Sequence, residues 1–335
     1  VLQLKSYYLS SSVHVDSIDY LIGYNYRLHS LDCMNLKSKS VTQIVLPGDG
    51  PDAIVRLSGI YAQSLDSVWI SDESERAFLI DSVGTIKRMI DLKKYLEDQE
   101  QLLINTNYVM FTSHLFYNAS RHSLMFLVKH TPSNTFIVKE VFIDEVGKMA
   151  TYQLSSSKVV PDMSKGYAYI NFPNVNFVGE NIVYNYPVES SIYMLDIRTN
   201  ERKYILADSH YTSNIIEKCT TSGDYATLEK HWLENSHFYD IMYLPKYKIY
   251  ARLHADKVDF DEKKGMEKLI NERDLYLMLF DENMEKIGET KLSNCRYSPF
   301  TSWNATYGGI ALFVDNVLDE KNNTDDLTID IISLK

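Results

Sequence analysis

The sequence predicts an all-β protein, a six-bladed β-propeller with four-stranded blades, and three observations lead to this fold class. Tyrosine is abundant, at 25 of 335 residues, whereas glycine (13) and proline (8) are scarce. Short runs rich in Tyr, Phe, Ile and Val favour strands. An apolar-Asp step recurs along the chain, and several strands are apolar on both faces, as expected where blades stack face to face.

Six apolar-Asp steps at the ends of predicted strands define a repeat. The steps are Leu31-Asp32, Ile80-Asp81, Ile143-Asp144, Leu195-Asp196, Phe280-Asp281 and Ile329-Asp330. Successive aspartates are 49 to 85 residues apart, slightly more than the ~40–50 residues of typical propeller blades. Because Asp beside a turn accepts main-chain N–H bonds, we expect these aspartates to end hairpin strands and not to form a ring of catalytic carboxylates.

Four strands are predicted around the anchors of units two to five. Those of unit two are Leu57–Ala62, Asp66–Ser71, Arg76–Asp81 and Thr85–Asp91. Those of unit three are Thr112–Tyr117, Ser123–His130, Thr135–Asp144 and Lys148–Leu154. Those of unit four are Tyr169–Val178, Asn181–Tyr186, Ser191–Asp196 and Arg202–Ala207. Those of unit five are Phe238–Leu244, Lys248–His254, Asp274–Asp281 and Lys286–Leu292.

The two terminal units are predicted to share a strand. Unit one contains Tyr20–Tyr26, His29–Cys33 and Ser40–Leu46, with an innermost strand near His14–Ile18. Unit six contains Phe300–Trp303, Gly309–Asp315 and Leu327–Leu334, and is one strand short. We expect the N-terminal strand Leu2–Ser10 to close the last blade, because closure removes an exposed sheet edge.

The whole chain, residues 1–335, is therefore predicted to be a single propeller domain. The blades span about residues 11–47, 56–92, 110–155, 167–207, 237–293 and 298–335, the last with strand 2–10. Three segments fall outside the strands. Lys93–Leu103 is predicted as a short helix, Ala255–Arg273 as a charged, helix-prone insert, and Asp208–Ser236 as a connection that is helical or irregular.

Composition and charge limit the function classes. The net charge of −11 argues against a nucleic-acid partner, because an acidic surface repels phosphate backbones. Cys33, Cys219 and Cys295 have no CxxC spacing and are expected to be small buried residues. No run of 18 apolar residues occurs, and the start at Val1 suggests a chain trimmed of a leader. We expect a monomer with no cofactor and no metal.

Motifs that carry chemistry are absent from the sequence. There is no GxSxG, HExxH, Walker or GxGxxG pattern. The run Gly48–Asp52 is interpreted as a turn between blades. Asp259 and Asp261 begin a pattern that resembles a calcium loop, but Lys263 and Lys264 occupy the positions needed for a ligand and for glycine. A metal role for His14, Asp16 and Asp19 is disfavoured.

Candidate ligand-binding residues lie in the predicted loops at a channel mouth, where blades join and where first strands turn into second strands. Trp, Tyr and Arg are enriched at binding hot spots, and aromatic rings suit sugar faces. The alternative for each residue is packing or loop anchoring. The candidates are His114, Tyr117, Arg121, His210, His231, Trp232, Arg296, Tyr297 and Trp303, with His122, Tyr211, His237 and Asn304 beside them.

Three segments resemble a known family. They are the run Gly48-Asp49-Gly50-Pro51-Asp52, "SLDSVWISD" at Ser64–Asp72, and "YLPKYKIYARL" at Tyr243–Leu253. The chain resembles an uncharacterised family of bacterial cell-envelope β-propeller lipoproteins from gut anaerobes. This resemblance implies a six-bladed propeller that is exported to the periplasm or outer membrane and lipid-anchored through a cysteine before Val1. It brings no catalytic residues.

Three functions remain open at this point. The first is a non-enzymatic propeller that binds a protein, peptide or glycan at one mouth of its channel. The second is a hydrolase or lyase acting on a sugar or lactone with scattered His and carboxylate residues. The third is an accessory subunit that uses its outer surface, which requires a large exposed apolar patch. The missing motifs favour the first function.

Overall fold

Six antiparallel sheets stand around a central channel, which confirms the predicted all-β six-bladed propeller. The computed structural model describes residues 4–103, 114–159, 172–219, 224–299, 301–321 and 326–334. The innermost strands of neighbouring blades lie beside one another, and the first blade contacts both the second and the sixth.

The strands follow chain order within each blade, from the channel outward. Blade one contains β1 (Ser10–Val15), β2 (Ile18–Asn25), β3 (Ser30–Asn35) and β4 (Val41–Val45). Blade two contains β5 (Leu57–Ser64), β6 (Ser67–Asp72), β7 (Arg76–Ile80) and β8 (Ile86–Asp91). Blade three contains β10 (Phe116–Asn118), β11 (Ser123–His130), β12 (Thr135–Phe142) and β13 (Met149–Gln153), with β9 (Glu100–Leu102) added beside β11. Blade four contains β14 (Asn174–Val178), β15 (Asn181–Asn185), β16 (Ile192–Asp196) and β17 (Arg202–Ile205). Blade five contains β18 (His237–Leu244), β19 (Ile249–Ala255), β20 (Leu275–Phe280) and β21 (Lys286–Lys291). Blade six contains β22 (Trp303–Ala305), β23 (Ile310–Phe313) and β24 (Ile329–Ile332). Helix α1 (Tyr225–Leu233) lies in the connection before blade five, and α2 (Met266–Asn271) lies within that blade.

Burial differs between middle and outer strands for a simple geometric reason. Strands β11 and β20 are buried on both faces because neighbouring blades cover them, and their sequences are continuously apolar. The outer strands β4 and β13 are largely exposed and mix polar with apolar residues. The continuous apolar runs in the sequence therefore mark the middle strands of the blades.

Each contact between neighbouring blades, here called a seam, contains its own apolar cluster. The seam between blades three and four is extensive and includes Leu127, Tyr184 and Tyr193. The seam between blades six and one has four fully buried apolar residues, the fewest among the described seams: Tyr7, Leu21, Met34 and Phe313. The ring is thus closed by its thinnest apolar contact.

The N-terminal segment Leu2–Ser10 was predicted to close blade six, and its first two residues lie outside the described part of the chain. Residues 4–9 contain no strand, and Ser10 already begins β1, the innermost strand of blade one, where it pairs with Gly23. The segment lies in the seam between blades six and one, where the main-chain oxygen of Tyr7 accepts from Ser302 N (3.0 Å). It therefore reaches blade six as predicted, with Tyr7 beside the inner strand β22 and Leu4 in one apolar cluster with Leu327 and Ile329.

Two further expectations are corrected. Lys93–Leu103 is not one helix: a 3-10 turn, Leu92–Tyr95, is followed by strand β9. Among the recurrent aspartates, Asp81, Asp196 and Asp281 accept main-chain N–H bonds in turns as predicted. In contrast, Asp32 and Asp330 lie within strands and accept from side chains, and Asp144 pairs with Arg88.

Candidate functional site

The central channel is the candidate functional site, because all six blades contribute to its wall. It encloses about 370 Å³. The wall contains hydroxyl, amide and aromatic side chains and no Asp, Glu, Lys or Arg among the described residues. The lining residues are Ser10, Ser11, Ser12, Ile60, Tyr61, His114, Leu115, Phe116, Asn176, Phe177, Val178, Gly179, Met242, Tyr243, Pro245, Asn304 and Ala305. Such a wall suits an uncharged ligand.

Three aromatic rings from three blades form one side of the channel. Tyr61 meets Phe116 edge-on at 5.1 Å between ring centroids, and Phe116 stacks on Phe177 at 4.9 Å. Burial raises the pKa of Tyr61, so its phenol stays neutral at physiological pH. Tyr61 and Phe116 are only partly buried and leave aromatic surface open to the channel. Aromatic faces of this kind support the C–H faces of sugars and the side chains of peptides.

One ionisable group of the channel wall is held by a buried carboxylate. Asp240 has no exposed side-chain surface, and its two oxygens lie 2.8 Å from His114 Nε2 and 2.8 Å from Trp303 Nε1. The side chain of His114 is 24% exposed. No hydrogen-bond partner for its Nδ1 is found in the part of the chain that the structure describes. Asp240 therefore orients an imidazole whose second nitrogen is open to the channel.

A β-bulge explains how Asp240 reaches this position. In blade five, Phe238 pairs with His254, but Ile241 pairs with Arg252, so two residues of β18 stand opposite one residue of β19. The extra residue turns the local side chains, and bulges are common next to functional sites for this reason. The run "HFYDIMYL" carried the signal, a carboxylate inside an otherwise apolar inner strand. Strand periodicity alone does not show the bulge, and Asp240 was missed.

The loops that were predicted to form one channel mouth lie on two opposite faces of the ring. Strands alternate in direction within each blade, so the turns from first to second and from third to fourth strands lie on one face, here called the hairpin face. The turns from second to third strands and the connections between blades lie on the opposite face, here called the loop face. The prediction placed both kinds of loop at one mouth, which the alternation forbids.

Of the nine candidates, the structure brings together two, His114 in the channel wall and the buried Trp303 behind it, which share the Asp240 carboxylate. Tyr117 instead packs in the seam between blades two and three, stacked on Trp69 at 5.8 Å. Trp232 is buried beneath the Arg273 guanidinium, 4.7 Å from the ring centroid, and donates to His237 Nδ1 (3.3 Å). The Nε2 atom of His231 lies 2.6 Å from the Glu217 main-chain oxygen.

Three more candidates donate hydrogen bonds to carboxylates within or beside their own blades. Arg121 makes two hydrogen bonds to Glu140, of 2.8 and 3.0 Å, in blade three. Arg296 binds Asp330 with two hydrogen bonds of 2.6 and 3.0 Å, and Tyr297 donates to the same carboxylate (2.8 Å). These contacts secure the connections at the periphery of the ring.

The last candidate, His210, belongs to a buried ionic cluster between blades four and five. The His210 main-chain N–H donates to Glu289 (2.9 Å), whereas its side chain is exposed. Ser209 donates to the same carboxylate (2.6 Å), and His254 Nε2 lies 3.0 Å from it. Burial acts to raise the pKa of Glu289, but these hydrogen bonds and one from Lys286 together hold that pKa well below its usual range. Burial lowers the pKa of His254.

This cluster predicts acid-sensitive stability. His254 resists protonation when folded, so stability is expected to fall as the pH drops below about 6.5, the unfolded histidine value. The contribution of Glu289 is present above its unfolded pKa of about 4.3 and is lost below it. Urea unfolding at pH 7, 5.5, 4.5 and 3 measures both steps. Glu289→Gln should flatten the lower step, and an equally steep decline in this variant would contradict the assignment.

The rim of the channel on the hairpin face carries an aromatic cluster. His14 stacks on Tyr307 at 4.2 Å, and Tyr307 is 45% exposed. Asp19 accepts from the main-chain N–H groups of Tyr307 (3.1 Å) and Gly308 (2.7 Å), and it lies 2.7 Å from His14 Nδ1. Asp19 therefore fixes the β22–β23 turn against blade one, which explains it without a metal.

Other features bear on the site only indirectly. Among the described residues, no group of three or more His, Cys, Asp or Glu side chains is arranged to hold a metal ion. Cys33 and Cys219 are buried, and burial raises the pKa of Cys33 to about 11, whereas Cys295 is partly exposed. In the described part of the chain, no helix has the length and apolar character needed to cross a membrane.

Comparisons with known proteins place these features in a family. A family model described as "Domain of unknown function (DUF4221)" matches residues 3–291. The crystal structure of a DUF4221 member from Bacteroides vulgatus has a TM-score of 0.78 at 14% identity and covers 99% of this chain and 96% of that chain. No curated protein matches the sequence significantly.

More distant folds are also similar. Hydrazine synthase of Kuenenia stuttgartiensis gives a TM-score of 0.49 at 11% identity, covering 93% of this chain and 75% of that chain. Regucalcin of Agrobacterium tumefaciens, a calcium-binding protein, gives 0.45 at 12% identity, covering 94% and 85%.

Proposed function

We propose that this chain, which belongs to the DUF4221 family, is a non-enzymatic binding propeller that takes an uncharged part of a protein, peptide or glycan into its central channel. One observation carries the proposal: the described part of the channel wall combines open aromatic surface with hydroxyl and amide groups and contains no Asp, Glu, Lys or Arg. Ligand sites of proteins are mostly apolar with a few placed polar groups.

The approach of the ligand is from the hairpin face. The lining extends to Gly179 and Pro245, which lie at turns of this face. Tyr307 and its neighbour His14 add exposed aromatic surface at the same rim. Among the strands that the structure describes, the inner ones also have one main-chain edge without a neighbouring strand, and such groups need water or a ligand as hydrogen-bond partner.

The proposed setting is the cell envelope, with the protein anchored there by a lipid and acting as a monomer. Support comes from the sequence resemblance to envelope propeller lipoproteins. The net charge of −11 supports a partner other than nucleic acid.

The binding proposal predicts the effect of two channel variants. Glycan and peptide arrays on the purified protein identify the ligand, and calorimetry with the strongest hit gives its affinity. Tyr61→Ala and His114→Ala are each expected to weaken binding at least about tenfold, which corresponds to about 1.4 kcal/mol. His122→Ala is the matched control, because His122 is outside the channel lining and its side chain is 67% exposed. Empty arrays, or unchanged affinity in both channel variants, would contradict the proposal.

A second candidate function rests on the His114–Asp240 pair. A carboxylate-oriented imidazole with an open nitrogen is suited to accept a proton from a nucleophile, so hydrolysis or elimination on a sugar or lactone is the enzymatic alternative. Hydrolysis of chromogenic sugar esters and lactones by the wild-type protein, abolished in His114→Ala, would favour this alternative. Rates equal to the uncatalysed background would favour binding alone.

A further inference from the structure

The two halves of the channel wall differ in chemistry. Blades two, three and four contribute the rings of Tyr61, Phe116 and Phe177. Blades six and one contribute the amide of Asn304 and the hydroxyl groups of the three serines at residues 10–12. Blade three stands opposite blade six, and blade four opposite blade one, because six blades follow one another in chain order around the ring. A ligand in the channel therefore meets aromatic surface on one side and hydrogen-bonding groups on the other.

The polar half has hydrogen-bonding capacity that the described part of the protein leaves unused. Ser11 Oγ accepts from the main-chain N–H of Ala62 (3.0 Å), and no acceptor for its own hydroxyl hydrogen is found in the described ranges. Ser12 donates to Ala305 O, so its oxygen can still accept. Asn304 donates from its amide nitrogen within the wall, and none of the described residues donates to its Oδ1. These groups offer a ligand one donor and two acceptors.

The wall also limits the charge and the size of the ligand. Its described part contains no Asp, Glu, Lys or Arg, so a carboxylate or ammonium group of the ligand would lose water without gaining an ionic partner from these residues. The channel volume of about 370 Å³ is near the lower end of the ~300–1,000 Å³ that is typical of ligand pockets. A small neutral ring with polar substituents fits both limits.

Side chains of adjacent blades occupy part of the main-chain edges of the inner strands. Asn174 Nδ2 donates to Phe238 O (2.8 Å), and Asn176 Nδ2 donates to Ile241 O (3.0 Å), so blade four is bonded to blade five in this way. Two serines of β1 make the corresponding bonds to blades two and six. A peptide that entered the channel as an added strand would compete with these bonds. The channel therefore suits a ligand that bonds through hydroxyl groups better than an extended peptide.

We propose that the channel ligand is a neutral sugar held as a terminal pyranose ring, an inference that rests on the proposed binding function and specifies its ligand. The C–H face of the ring packs on Tyr61 and Phe116. Hydroxyl groups at the opposite edge of the ring bond to Ser11, Ser12 and Asn304. Each sugar hydroxyl both donates and accepts, so the ring can satisfy the open donor and the two open acceptors without bringing a charge into the channel.

Paired glycans test the ligand class with the wild-type protein. The probes are glucose-, galactose- and mannose-terminated glycans, each paired with the glycan whose terminal hydroxymethyl group is oxidised to a carboxylate, together with uncharged peptides. Calorimetry is expected to show saturable binding of at least one neutral glycan and at least about tenfold weaker binding of its carboxylate form. At least one monodeoxy analogue of the bound sugar should also bind about tenfold more weakly, because a wall group then loses its partner.

Two substitutions of Tyr61 test the stacking contact. Tyr61→Phe keeps the aromatic face, whereas Tyr61→Leu keeps an apolar side chain without that face. The neutral glycan is expected to bind Tyr61→Leu at least about tenfold more weakly than Tyr61→Phe. Circular dichroism and melting temperatures of both variants control for folding. Equal affinities in two folded variants would overturn the stacked sugar.

The outcomes separate this inference from the proposed binding function. Binding of peptides but of no glycan, weakened by Tyr61→Ala, would overturn the sugar and leave a channel-binding propeller. Equal binding of the neutral and carboxylate glycans would overturn the assignment to a neutral ligand, again without affecting the binding function. Absence of binding to both glycans and peptides would contradict the sugar and the binding function together.

Discussion

Tyr7→Ala is expected to lower the free energy of unfolding by about 3–5 kcal/mol, the range for truncating a buried aromatic side chain. Tyr7 is 1% exposed and packs in the thinnest seam, with its ring 5.6 Å from that of Phe313. It also donates to Asp32 (2.6 Å), and its ring lies so close to Gly23 that a Cβ there would be 2.5 Å away. Substitution leaves a cavity at the point where the ring closes.

Urea denaturation of wild type, Tyr7→Ala and Tyr8→Ala provides the measurement and its control. Tyr8 is the next residue, but it is 44% exposed, so its truncation should change stability by no more than about 0.5 kcal/mol. Tyr7→Phe keeps the ring and removes one hydrogen bond to Asp32, and a loss of about 1–2 kcal/mol is expected. If Tyr7→Ala and Tyr8→Ala had equal effects, the N-terminal segment would not stabilise the ring.

Asp240→Ala is expected to lower the free energy of unfolding by about 2–4 kcal/mol, because two donors lose their acceptor. The Trp303 indole N–H is buried away from water, whereas His114 lies in the channel wall. The same variant removes the carboxylate that orients the His114 imidazole. Any ligand contact made by His114 Nδ1 should therefore weaken in the variant that also has the lower free energy of unfolding.

Asp144→Ala is the matched control for this prediction. Its side chain is 63% exposed and pairs with Arg88 on the surface, and such pairs contribute about 0–1 kcal/mol. Chemical denaturation of both variants at pH 7 gives the comparison. A loss in Asp240→Ala no larger than in Asp144→Ala would contradict the structural role of the buried carboxylate.

The repeat was predictable because middle strands have a strong local signature. Asp274–Asp281 was predicted as a strand buried on both sides, and β20 spans Leu275–Phe280. Inner strands were less exact, since β22, the innermost strand of blade six, covers Trp303–Ala305 and not Phe300–Trp303. A continuous apolar run identifies a strand that neighbouring blades cover on both faces. It does not determine the register of that strand or the residues at which it begins and ends.

The site was predicted only in part, because its contacts join residues that are distant in sequence. His114 and Trp303 were selected by residue type, but their link through Asp240 spans 126 and 63 positions. Arg121 and Arg296 looked equally suitable, yet each satisfies a carboxylate near its own blade. A single sequence does not show which carboxylate an arginine meets, so binding and packing residues look alike.

The thin seam between blades six and one has a consequence for the order in which the protein loses structure. A closed ring differs from an open solenoid because each unit has two neighbours, and breaking one contact converts the ring into an arc with its other contacts intact. Regions with few buried apolar contacts open first in the native state. Transient opening is therefore expected to start at the Tyr7 cluster, where it would widen the channel from one side without unfolding any blade.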